Sequence, residues 1–206
     1  MNPAVGRPRS SGADEAILRA GRELMTEHGY AGFSMDEVAR RAGVGRQSVY
    51  RRWPSKPVLV VAAMTSVGAD VDVFADTGSF EGDLRSGLEA MRALYHRSSA
   101  ALFADVYFAM ASDLAARDLF NENHVRPRRR SLARAVERAI ERGELARETD
   151  VSTVTDLVSG PFLYRRLIAA DDLRDVLLDA IVEAVLLLYG AKPQQSSATI
   201  DRCSPA

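Results

Sequence analysis

The chain has 206 residues, 47% of them hydrophobic, which allows one large domain, or a small one joined to a larger one, with a real core. Its single cysteine, Cys203, excludes a disulfide framework, and a net charge of −1 by itself argues against a polyanionic partner. No N-terminal basic-then-apolar stretch resembles a leader, and the longest apolar run, residues 180–189, is interrupted by Glu183 and too short for a bilayer. The expected setting is the cytoplasm, without membrane insertion.

The charge is unevenly spread. Residues 1–56 carry ten Lys or Arg against six Asp or Glu, a net of +4, which leaves 17 basic and 22 acidic residues beyond. Residues 1–12, MNPAVGRPRSSG, have no apolar period and read as a flexible basic arm. From Asp14 the period becomes helical through Ile17, Leu18, Leu24 and Met25, and Gly29 supplies a stop. Ser34 followed by Glu37 has the spacing of a capping box, and Gly43 ends that short second helix at about Ala42. The third begins within three residues, with Gly45 as N-cap, Arg46 as first residue, and Val44 and Val49 spaced as a hydrophobic staple. Two short helices across a Gly-Val-Gly turn predict a helix-turn-helix. Pro54 ends it, and Ser55 caps a fourth helix with Pro57 in its first turn.

Everything further is helical in period: about 55–70, 79–97, 100–116, 119–142, 151–169 and 172–190, with punctuation near Gly78, Gly143 and Asp171. Residues 191–206 return to Pro, Gln and Ser and are expected to be disordered. The expected fold is all-α, about nine helices. It divides into a helix-turn-helix domain at 13–58 and a larger helical bundle at 59–190.

With Val49 facing the core, a step of about 100° per residue points Gln47 and Arg51 outward, with Arg46, Tyr50 and Ser48 on their flanks. That surface offers donors for guanine, a bidentate amide for adenine and hydroxyls for phosphates. A plain solvated helix face is the competing reading, but it leaves the two-glycine turn and the cap and staple spacings without a reason. A phosphate-binding glycine loop fails, because Ser48 stands where a third glycine is needed and no strand precedes it.

The stretch GFSMDEVARRAGVGRQSVYRRWPSKPVL resembles the N-terminal domain of the TetR family of bacterial transcriptional regulators, over about Ile17 to Leu59. The resemblance implies Ser34, Ser48, Tyr50 and Lys56 near phosphates, and Arg46 and Gln47 near bases. Gly45 departs from the family's usual Ser or Thr, and Pro57 from a common Glu. Arg7 and Arg9, braced by Pro8, suit a narrow minor groove, although an untethered terminus is the alternative.

The family likeness also implies that the acidic remainder dimerises and holds a small effector. Gly160-Pro161 and Tyr164-Arg165 resemble the C-terminal domain of one TetR subgroup, and the last two helices are where the family pairs with its two-fold mate. Val176, Leu177, Ala180, Ile181, Ala184, Leu187 and Leu188 make an apolar face wider than one side of a small domain needs, which favours a homodimer over a core helix. Met91, Tyr95, Phe103, Tyr107, Met110 and Phe162 are candidate linings of an effector pocket or plain core, and Asp105, opposite Phe103, is expected in solvent. The arginines at 126 and 128–130 read as a solvated face, with a second nucleic-acid patch or an acidic-effector site as the alternatives, and Glu137 and Glu141 are placed to pair with Arg134 and Arg138.

His28, His96 and His124 are isolated, and no motif implies catalysis, a metal or a cofactor. The expected function is sequence-specific transcriptional regulation by a repressor that a small-molecule effector releases from a pseudo-palindromic operator. The alternatives are a ligand-independent or architectural DNA-binding protein, an activator, or a helical enzyme or interaction module that happens to contain this turn.

Overall fold

A computed structural model describes residues 11–66, 72–96, 99–169 and 173–190. The expected basic arm, with Arg7 and Arg9, and the expected disordered tail fall outside the described residues, except that Ser11 and Gly12 already belong to the first helix. The architecture is all-α: α1 (Ser11–Gly32), α2 (Met35–Arg41), α3 (Arg46–Arg52), α4 (Lys56–Thr65), α5 (Phe80–His96), α6 (Ala100–Ser112), α7 (Leu114–Phe120), α8 (Arg126–Glu141), α9 (Val151–Tyr164) and α10 (Asp175–Tyr189). A π-helical turn, Asn121–Val125, joins α7 to α8 without a break, and a second, Arg165–Ala169, extends α9.

The first π turn has a chemical cause: Pro127 has no N–H to give the Asn123 carbonyl four residues back, so the hydrogen-bond ladder loosens there. The single helix expected over 100–116 is broken at Asp113, whose extended backbone (φ −147°) ends α6. Its carboxylate then caps α7 by accepting from the N–H groups of Ala115 (2.9 Å) and Ala116 (3.1 Å).

Two hydrophobic clusters organise the chain. The first joins α1–α4 and is completed by Val106, Ala109, Met110, Ala116 and Phe120 from α6 and α7. The second packs α5, α8, α9 and α10 around Phe74, Phe80, Leu84, Leu132, Phe162 and Val182. Phe74 lies against Gly87 so closely that a Cβ there would sit 2.1 Å from the ring. The first cluster therefore includes α4 and part of the body, so the small N-terminal head is braced against α6 and α7.

Beneath Phe74, Asp83 is fully buried. It accepts from the Thr77 N–H (2.6 Å) and hydroxyl (2.8 Å) and from Arg138 Nη2 (3.0 Å), with Arg142 Nη2 at 3.5 Å. Arg138 and Arg142 thus serve Asp83 and Asp76, and Arg134 pairs with Asp72, instead of the expected Glu137 and Glu141. The reason is that α8 turns these arginines toward the 72–79 segment.

Candidate nucleic-acid interface and the cavity behind it

The tight turn before α3 is fixed by Gly43, whose φ of +65° favours glycine, while the Gly43 N–H bonds the Arg40 carbonyl (3.2 Å) and the Val44 N–H that of Ala39 (3.0 Å). Val49 is completely buried in the first cluster, which contributes about 1.5–3 kcal/mol and fixes the rotation of α3. Val44 and Trp53 pack against the same cluster, half-buried. Gln47, Tyr50, Arg46 and Arg51 are consequently exposed on the opposite side, with Ser48 at the edge.

One local expectation needs correction. Ser34 is the N-cap of α2 with extended backbone, but its side chain makes no capping bond. Glu37, the expected reciprocal partner, is drawn instead to Arg40 Nε (2.7 Å) and Arg41 Nε (3.0 Å), whose hydrogen bonds hold its carboxyl down at about 2. Ser34 is left exposed.

The structure also gives two candidates protein partners. Arg46 Nε lies 2.5 Å from Asp36, both more than 40% exposed, a pairing that exchanges easily with solvent or an incoming phosphate. Lys56 Nζ sits 4.4 Å from the centre of the Tyr30 ring, a cation–π contact that steadies the lysine at the start of α4.

Gly45 has φ −69° and ψ 142°, ordinary extended backbone, and a Cβ built there meets nothing within 4 Å. Nothing in the fold demands glycine at this N-cap. Gly45→Ser is therefore expected to fold unchanged, to stabilise α3 by a few tenths of a kcal/mol, and to tighten DNA binding by about threefold through one added hydroxyl. Thermal melts and gel-shift titrations check both, and weaker DNA binding would refute the second part.

Behind the head, two neighbouring cavities of about 60 and 230 Å³ share Phe120, His124 and Arg128. Met91, Tyr95 and Tyr107 line the larger and Phe103 the smaller. Met110 belongs to the head cluster and Phe162 to the second core, and neither lines either of these two cavities. Rings follow one another through the site: Tyr95 and Phe103 stack at 4.5 Å, Phe103 and Tyr107 at 5.8 Å, and Phe120 and His124 at 4.6 Å. Burial pushes the Tyr95 hydroxyl up to about 12 and that of Tyr107 higher, while the two hydroxyls hydrogen-bond each other.

Burial, and secondarily the Arg128 charge, pushes His124 down to about 3. The unfolded chain thus takes up this proton first, so stability is complete above the usual histidine value of about 6.5 and falls as the pH drops through the window down to 3. Relative to a His124→Gln variant, the protein is expected to lose about 2 kcal/mol between pH 6.5 and 5. Denaturant titrations at both pH values test this, and equal losses in the two proteins would refute it.

Asp105 is not in open solvent as expected. Its carboxylate accepts from the Tyr30 N–H at 2.8 Å, tying α6 to the end of α1. Asp113 in turn accepts from the Ser55 hydroxyl at 2.7 Å, so the caps of α7 and α4 are bonded to each other. The signal for Asp113 was available as an Asp directly before Leu-Ala-Ala. That for Arg128 was its flanking Val125 and Leu132 at helical spacing, which mark an inward face.

No helix among the described residues is long and apolar enough to cross a membrane. The family profile described as "Bacterial regulatory proteins, tetR family" matches residues 17–63, and that of the "Tetracyclin repressor-like, C-terminal domain" matches 74–185. Over 186 residues the chain is 30% identical to the DNA-binding transcriptional repressor TetR of Mycobacteroides abscessus, covering 90% of this chain and 95% of that protein. It is 28% identical over 175 residues to the uncharacterized HTH-type transcriptional regulator YdeS of Bacillus subtilis, covering 85% and 88%. Among solved structures, the TetR family transcription regulator SCO0332 superposes with a TM-score of 0.71 at 26% identity, covering 84% of this chain and 96% of that one. A reading helix on a braced head, a helical body matched along most of its length, and relatives similar across nearly the whole chain agree: this DNA-binding protein belongs to the TetR family of bacterial transcriptional regulators.

Proposed function

We propose that the protein is a cytoplasmic homodimeric repressor, released from a pseudo-palindromic operator when a small effector enters the cavity behind the head. The observation that carries this reading is the bonded pair of caps. Phe120 and His124, on the cavity wall, continue the helix that Asp113 begins, and Asp113 holds Ser55, the residue before Lys56. A shift of that helix is transmitted to the start of α4 and from there to the head, whose separation from its mate must match half-sites about one helical turn apart. The repressor named among the relatives supports the same direction of control.

Within the head, Arg46 and Gln47 are assigned to base edges, Ser34, Ser48, Tyr50 and Lys56 to phosphates, and Arg51 to the same outward surface. Arg7 and Arg9 are assigned to the minor groove. Footprinting of the DNA upstream of the protein's own gene identifies the operator. On it, Arg46→Ala and Gln47→Ala are expected to lose about 1–3 kcal/mol of discrimination between matched and altered sites. Lys56→Ala should weaken all DNA about equally and reduce the salt slope by about one. Uniform weakening by all three variants would remove the assignment of base readers, and no protected sequence would remove the regulator reading.

A further inference from the structure

We infer that the cavity between α5, α6, α8 and α9 takes a small organic carboxylate with a flat apolar body, its anionic end against Arg128, an assignment that rests on the effector reading above. Arg128 is half-buried, and it alone among the charged groups borders both cavities. Other arginines along the same helix meet carboxylates: Arg126 pairs with Glu122, Arg134 with Asp72, and Arg138 and Arg142 with Asp83. Arg128 donates only to the backbone carbonyl of His124, at 2.9 Å, and no carboxylate among the described residues pairs with it. A guanidinium has five N–H donors and stays protonated in proteins, so most of the hydrogen-bonding capacity of this cavity-lining side chain is not taken up by the protein.

A half-buried cation without a counter-charge is costly, and burial pushes the Arg128 pKa down. An anion that enters with its own charge removes that cost, which an apolar ligand or a cation cannot do. Tyr95 and Tyr107 add a second donor, because their mutual hydrogen bond uses only one of their two protons.

Charge and size limit the ligand further. The lining of the larger cavity carries Arg128, Arg129 and Asp156, a net of one positive charge, so one negative charge is matched. A volume of about 230 Å³ holds on the order of ten non-hydrogen atoms, judged from the ~30 Å³ share of one water molecule. Tyr95, Phe103, Tyr107 and Phe120 offer ring faces and edges, which suit a planar or short-chain apolar body.

The test titrates the full-length protein with benzoate, phenylacetate and 4-phenylbutyrate and with the primary amide of each, by calorimetry and thermal shift. Operator retention is measured in parallel. At least one acid is expected to bind and raise Tm while its amide does not, and Arg128→Gln should weaken that acid about ten- to a hundredfold. Arg128→Lys, which keeps the charge, should retain most of the affinity. Amides binding within threefold of their acids, acids indifferent to Arg128→Gln, or no acid binding at all would each overturn the assignment. The comparison of acids with amides on the unaltered protein stands even if Arg128→Gln does not fold. Acids that bind through Arg128 yet leave DNA bound support the ligand class and refute the effector reading. Release of DNA by amides and not by acids refutes the ligand class and supports the effector reading.

Discussion

Asp83→Ala is expected to lower the stability of the protein by about 3–5 kcal/mol, the range for breaking a buried ion pair, and to lower Tm by roughly 6–20 °C. The carboxylate is fully buried at the start of α5 and joins three pieces of chain: its own helix, Thr77 in the 72–79 segment, and Arg138 and Arg142 on α8. Burial pushes its pKa up, but the Thr77 hydrogen bonds and the Arg138 charge outweigh it, and the net shift is downward. Its stabilisation is accordingly complete above the usual carboxylate range and is lost as the pH falls through the depressed folded value. Alanine leaves the two guanidinium groups only the more distant Asp76 in common, at 3.6 and 3.7 Å. Asp83→Asn keeps the shape and part of the hydrogen bonding and should lose less. Denaturant melts of the three proteins at neutral pH decide the matter, and an alanine variant within 1 kcal/mol of the parent would show that Asp76 and solvent suffice for the arginines.

Leu187→Glu is expected to convert the protein from dimer to monomer and to weaken operator binding about 10²–10⁴-fold, because two heads then bind without a shared tether. The sequence marks one wide apolar face on the last helix, and the structure divides it in two. Leu178, Ile181, Val182 and Val185 turn inward to the second core, so Ile181 is not available to a partner. Val176 is 77% exposed, Leu187 86% and Leu188 62%, on the other side of the same helix. Exposure of this order on three large aliphatic side chains favours a covering surface, and the proposed cover is the same pair of helices from a second copy. Light scattering after size exclusion reads the oligomeric state. Leu114→Glu, at a position 72% exposed on α7, should leave that state unchanged. A Leu187→Glu protein that stays dimeric would place the interface elsewhere.

The head was legible in the sequence because its determinants are local. Gly43 and the adjoining Val44 set the turn through backbone chirality and two local hydrogen bonds, and the spacing of Val38, Val49 and Trp53 sets the rotation of both helices. Even where one local device was not realised, as at Ser34, the limits of α2 held, since helix period and the glycine stop sufficed. The body was legible as a succession of helices, but the break at Asp113 was concealed by apolar residues that continue the period on both sides.

Composition and period by themselves determined an all-α chain with a basic helix-turn-helix head, an acidic body and an apolar last helix. They act over a few residues, where propensity, chirality and alternation of side chains have direct effect. Tertiary structure decided what depends on residues far apart: that Asp105 meets Tyr30 across 75 positions and Asp113 meets Ser55 across 58. It also decided that Arg128, one of a run of arginines with the same sequence appearance, faces the cavity while Arg126 pairs on the surface. A side chain's charge is written in the sequence, but the cost of that charge depends on which surfaces close around it.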